Sequence, residues 1–114
     1  MILYLAGPMT GLPEFNFPAF IDAAKILREQ GHCVFSPAER DLAIGFDPTK
    51  NSLEGFDLVD AMRWDLGCIL HQVQGVALLP GWEASKGVSI ELTVARAVDR
   101  KIFLYVDGEL RDSD

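Results

Sequence analysis

The hydrophobic positions of this chain follow two rhythms. "ILYLAG" (2–7) is an unbroken apolar run closed by a glycine, the pattern of a buried strand. "NFPAFIDAAKILREQG" (16–31) then changes to intervals of three and four, with Phe17, Phe20, Ile21, Ala24 and Leu27 on one stripe. Asn16 reads as its N-cap, Pro18 falls in the first turn and Gly31 stops it. "HCVFSP" gives a short second strand. Residues 37–54 are rich in Pro, Asp, Asn and Gly and carry little periodicity; at 18 residues the connection is long enough to predict a lid or binding loop. A second helix over about 56–72 places Phe56, Val59, Met62, Leu66, Ile69 and Val73 on its stripe. "QGVALLP" reads as a buried strand, about 85–98 as a third helix and "KIFLYV" as a last strand, followed by the polar "DGELRDSD".

Strands that alternate with helices imply right-handed crossovers. The expected fold is therefore α/β: a single flavodoxin- or Rossmann-like domain over residues 1–108, a mostly parallel sheet of about four to five strands with helices on both faces, and a polar tail at 109–114. In such sheets ligands bind beyond the carboxyl ends of the strands. The loops "AGPMTGLP" and "PGWEASKG", after the first and third predicted strands, both fall there.

Composition narrows the field. A chain of 114 residues with 49% hydrophobic content fits one domain with one core. Its net charge of −7 disfavours a broad phosphate-neutralising surface, which argues against long nucleic acid and anionic membrane as partners. A small anion held at a helix N-terminus stays compatible. "MILYLAG" lacks a basic n-region and no apolar run reaches the length of a membrane span, so a cytoplasmic location is expected. Cys33 and Cys68 have no metal-ligand spacing and read as buried thiols in a reducing compartment. His32 and His71 are unclustered, so no metal is expected.

The chemistry starts from Glu91. On the third helix its neighbours one turn away are Gly87, Val88, Val94 and Ala95, none able to pair with a carboxylate. A surface glutamate that happens to fall on the stripe, or one whose charge favours the helix start, is the plain alternative, but the absence of cationic partners one turn away weighs against it, since a buried unpaired acid is costly without a purpose. Asp65 is similar, lying off the main stripe of the second helix among Ala61, Met62, Cys68 and Ile69. Asp60, nearer the start of that helix, suits the dipole. Two carboxylates from different helices near one sheet edge suggest acid/base or nucleophilic work at an acetal-like carbon. Ser85 can cap the third helix, and Gly87 leaves space above its first turn for an anion or a sugar oxygen. Gly7 and Gly11 allow close backbone approach, but they do not make the dinucleotide fingerprint, which disfavours a redox reading.

"YLAGPMTG", an aspartate on the second helix and "LLPGWEASKGVSIELTVARA" together resemble the nucleoside 2-deoxyribosyltransferase superfamily, closest to its small DUF4406-like members. The resemblance covers nearly the whole chain. It implies that Glu91 is a nucleophile forming a covalent 2-deoxyribosyl intermediate, that Tyr4 orients its carboxylate, and that Asp65 engages the nucleobase and its proton. It implies a substrate wall from Gly7, Pro8, Met9, Thr10 and Gly11, with Asp60, Trp82, Ser85, Lys86 and Gly87 around it. Trp82 could stack on a base, close the pocket or pack against a neighbouring subunit.

Ser85 stands where transferases of free nucleosides have an aspartate and where the related deoxynucleoside 5′-monophosphate N-glycosidases have a serine. That favours a monophosphate. Pro8 and Thr10 depart from those glycosidases, which have a serine and an arginine on the phosphate, so Lys86 or Arg63 would have to supply the charge. The resemblance implies no cofactor, a small nucleotide or nucleoside as ligand, and a homodimer or higher homo-oligomer. A nucleotide-binding or sequestering protein of the same fold is the competing expectation.

Overall fold

The computed structural model describes residues 1–113. Five strands form one sheet: β1 (Ile2–Ala6), β2 (Cys33–Phe35), β3 (Gly75–Leu78), β4 (Lys101–Val106) and β5 (Glu109–Asp112). Four α-helices surround it: α1 (Phe17–Glu29), α2 (Pro37–Ala43), α3 (Leu58–His71) and α4 (Lys86–Ala97). The strand order is β2-β1-β3-β4-β5, parallel throughout except for the antiparallel β4–β5 pair. This is the flavodoxin-like order with its last edge strand antiparallel.

Strand alternation divides the core into two layers. Leu3, Leu5, Ala77 and Leu79 face α1, where Phe17, Phe20, Ala23, Ala24 and Leu27 cover them together with Ala38 of α2. Tyr4, Ala6, Val76 and Leu78 face the opposite side, against Cys68 and Ile69 of α3 and Val88, Leu92 and Ala95 of α4. Tyr4 therefore brings a hydroxyl into an otherwise apolar layer. The chain leaves β1 toward β2 on one side and returns to β3 on the other, so the carboxyl ends of β1 and β3 flank the topological switch point.

Several local expectations are corrected. The segment 37–54 is not uniformly irregular, because its first part forms α2. Ser36 occupies the N-cap position, Pro37 begins the helix and Glu39 follows, a capping-box sequence. The box does not close: Glu39 is held by Arg28 of α1 through two contacts of 2.6 Å, and the buried Ser36 hydroxyl has no hydrogen-bond partner among the described residues. Residues 109–112 are not a tail but β5, joined to β4 by a two-residue turn in which Asp107 and Gly108 have φ of 49° and 80°. That is the conformation favoured by Asp-Gly in tight hairpins. Asp114 of the expected tail lies outside the described residues.

Two helical stripes also differ. Ile21 is exposed on α1, and Ala23 is buried in its place. On α3 the buried residues are Ala61, Cys68 and Ile69, while Val59 faces solvent. Asp65, four residues after Ala61 and three before Cys68, thus lies on the inward stripe rather than off it. Cys33 is exposed, whereas Cys68 is buried as expected. Asn16 does not cap α1 with its side chain. It completes a left-handed turn of Glu14, Phe15 and Asn16 (φ 50°, 51° and 61°), and its amide donates to the Pro8 carbonyl at 3.0 Å.

Candidate active site

The site forms where β1, α3 and α4 meet. Ser85 caps α4 by accepting from the Val88 N–H at 3.2 Å, as its place before "KGVSIE" predicts. The cap fixes the helix phase. Val88, Leu92 and Ala95 then point into the core, and Glu91, between Val88 and Ala95 on the same face, is carried inward with them. There the Tyr4 hydroxyl donates to Glu91 Oε2 at 2.5 Å. Tyr4 is fully buried, so the hydrogen bond holds the carboxylate from beneath and leaves Oε1 without a hydrogen-bond partner among the described residues.

The electrostatics follow from burial. Glu91 is pushed up to about 8, first by loss of water and further by the Asp65 carboxylate, with the Tyr4 hydroxyl opposing. Asp65 is pushed up to about 7, again chiefly by burial, with Asp41 adding and Arg40 and Tyr4 opposing. Tyr4 is raised well above its ordinary value by burial and by Glu91 and Asp65, so it remains a proton donor. Burial and Asp65 also push the Cys68 thiol up to about 11, leaving it an unreactive neighbour. Among the described residues Glu91 makes no ion pair. Two acids that share one buried region near neutral pH hold their last proton jointly.

The glycine turn sits above this group. A side chain at Gly7 would approach Leu79 Cβ to 2.8 Å, so only glycine permits the contact between the two loops. Gly81, with φ +88°, lies under the Pro8 ring, where an added Cβ would be 3.2 Å from Pro8 Cγ. The loops after β1 and β3 are thus packed together at the switch point. Met9 turns toward the α1 layer, while Thr10 and Gly11 face solvent. Trp82, in a one-turn helix over Trp82–Ala84, is partly buried against the α3/α4 layer. Lys86 and Gly87 are exposed on the first turn of α4.

Asp60 is engaged differently from a free ligand group. It pairs with Arg40 and, at 3.6 Å, with the largely exposed Arg63. Arg40 also binds Asp41 at 3.1 Å. Arg40 and Asp41 belong to α2, and sequence reasoning missed both because the segment read as a loop. The Ser-Pro-x-Glu start of α2 was the signal that could have found them. Two open clefts, of about 570 and 470 Å³, lie away from Glu91: one under the 44–57 connection beside Phe46 and Phe56, the other near Arg96 and Lys101. Among the described residues no group of three or more His, Cys, Asp or Glu could hold a metal ion. No described helix is long and apolar enough to cross a membrane.

Comparison with known proteins agrees with this architecture. A 2-deoxyribosyltransferase from the psychrotolerant bacterium Bacillus psychrosaccharolyticus, characterised as a biocatalyst for nucleoside synthesis, superimposes with a TM-score of 0.66 over 91% of this chain and 71% of its own, at 23% identity. The two share a fold. No curated protein shows significant sequence similarity to the chain. The family model for the domain of unknown function DUF4406 matches residues 1–104, spanning every element from β1 into β4, and the chain belongs to that family.

Proposed function

We propose that this protein breaks the N-glycosidic bond of a 2′-deoxynucleoside or its 5′-monophosphate and passes the deoxyribosyl group to water or to a second base. The observation that carries the reading is the buried, unpaired Glu91 held by Tyr4 at 2.5 Å beside Asp65. The shared fold with a 2-deoxyribosyltransferase supports the same class of chemistry.

In the first half-reaction Glu91 Oε1 attacks C1′ of the sugar while the C1′–N bond breaks. The bonding pair leaves with the base, which takes a proton from Asp65. An ester between Glu91 and C1′ remains. In the second half, water or another base attacks C1′, the ester C–O bond breaks, and Asp65 recovers a proton from the attacking group. Tyr4 keeps Oε2 fixed throughout, which reserves one oxygen for attack.

A 5′-monophosphate is the favoured substrate. Ser85 accepts from Val88 N but keeps its own hydroxyl proton to donate, at the positive end of the twelve-residue α4. Of the two cations first considered, Arg63 leans on Asp60, whereas Lys86 stands next to Ser85 and forms no ion pair among the described residues. Lys86 is therefore the better counter-charge. The test is a panel of deoxynucleosides and their 5′-monophosphates scored for released base. Release from monophosphates ahead of free nucleosides is expected; binding without release from any member would favour a sequestering protein and reject the enzyme.

A further inference from the structure

The most buried ion pair in the described structure lies outside the three groups of the proposed reaction. Arg40 is about 11% exposed and Asp41 about 7%, and Arg40 reaches from α2 to Asp60 in the first turn of α3. Between these anchors the chain makes its long excursion. The Phe46 N–H donates to the Asp41 carbonyl at 3.0 Å at one end. At the other end Phe56 meets the Phe46 ring at a centroid distance of 5.2 Å. Phe46 also packs on Phe15 and Phe17, tying the excursion to the segment that follows the glycine turn. Arg40 therefore closes the neck of a loop whose two ends lead into α2 and α3.

We propose that Arg40 is a positioning residue: by binding Asp41 and Asp60 together it locks α2 against α3 and fixes the charges that face Asp65. The inference rests on the assignment of Asp65 as the proton-carrying acid. A surface role would not require a nearly buried guanidinium between two carboxylates. The titratable groups electrostatically coupled to Asp65 are Tyr4 from β1, Glu91 from α4, Cys68 from its own helix, and Arg40 with Asp41 from α2, whose ion pair is held against the first turn of α3. Of these only Arg40 is cationic. Arg40 favours the ionised form of Asp65 and Asp41 opposes it, so the two act with opposite sign.

The opposite signs provide the test. The Asp65 carboxyl is titrated by carbon-13 NMR in the intact protein, its resonance identified by its loss in Asp65→Asn, alongside the pH profile of base release. Arg40→Met should move the Asp65 titration and the alkaline limb of the profile upward, and Asp41→Asn should move both downward, each by roughly half a pH unit or more. A merely structural pair predicts no shift, or a shift of the same sign from both variants, and either result would overturn the proposal. Should Arg40→Met fail to fold, Arg40→Lys, which keeps the charge, must hold the titration near its original position while Asp41→Asn still lowers it. Opposed shifts without turnover by the unmutated protein would uphold the positioning role and reject the enzymatic reading. Turnover with an unmoved titration would do the reverse.

Discussion

At the scale of single residues, the site is a problem in proton placement. In the proposed reaction Glu91 must be ionised to attack and Asp65 protonated to give, yet both are buried and repel each other's charge. The active form is then the pair with one proton, and base release should follow a narrow bell with its maximum between about pH 7 and 8. Asp65→Asn should remove the alkaline limb and slow the release of poorly leaving bases by roughly 10²–10⁴-fold. It should also shift the acid limb downward, since the Asp65 charge raises Glu91. Stability carries a matching signature. In the folded chain Glu91 and Asp65 are raised to about 8 and about 7, from 4.5 and 3.8 in the absence of burial. The unfolded chain releases these protons first as pH rises, so their contribution is complete below about pH 4 and is lost on the way to pH 8. Thermal melting should show a fall in stability between pH 5 and 8, and Glu91→Gln should flatten it and melt several degrees higher at pH 8. Equal pH dependence in the variant would contradict a buried Glu91.

At the scale of elements, what the sequence discloses depends on how local the cause is. Ser85 before α4 and the apolar run of β1 act through neighbours in the chain, and both behave as their residues predict. The same locality made Glu91 conspicuous: Val88 and Ala95 are one turn away, so its burial follows from helical phase alone. The partner that completes it, Tyr4, lies 87 residues distant and came only with the family resemblance. α2 was hidden because Pro37, Asp41 and Gly45 resemble loop chemistry and outweighed the Ser-Pro-x-Glu start at Ser36. β5 was hidden because an edge strand of Glu, Leu, Arg and Asp gains its order by pairing with β4 and not from its own pattern. On α3, Val59 kept the expected period yet turned outward, since the arginine bridge and Ala61 set which face docks. The end of α4 supports one prediction of its own. Ser85→Asp keeps the cap but adds like charge where a phosphate would sit. Competition kinetics should then show the monophosphate preference reversed in favour of free deoxynucleosides; an unchanged preference would remove Ser85 from phosphate recognition.

For the whole molecule, the groups proposed for the reaction, Glu91, Asp65 and Tyr4, lie apart from the two described clefts. Ile44, Leu53, Leu58 and Val59 stand exposed along the 44–59 segment at 50–67% of their surface. These exposed apolar side chains are the surface on which association is expected. A homo-oligomer is expected, and light scattering should report at least a dimer at working concentration; a fully active monomer would contradict it. The central claim, however, is that Glu91 itself becomes bonded to the sugar. The protein is mixed with 2′-deoxyguanosine 5′-monophosphate, quenched in acid within the first turnover and digested, and its peptides are weighed. A peptide containing Glu91 that is heavier by one deoxyribosyl phosphate group is expected, with no such adduct or base release from Glu91→Gln folded to the same circular dichroism. Base release at more than a few per cent of the original rate by that variant, or turnover with the Glu91 peptide always unmodified, would contradict it.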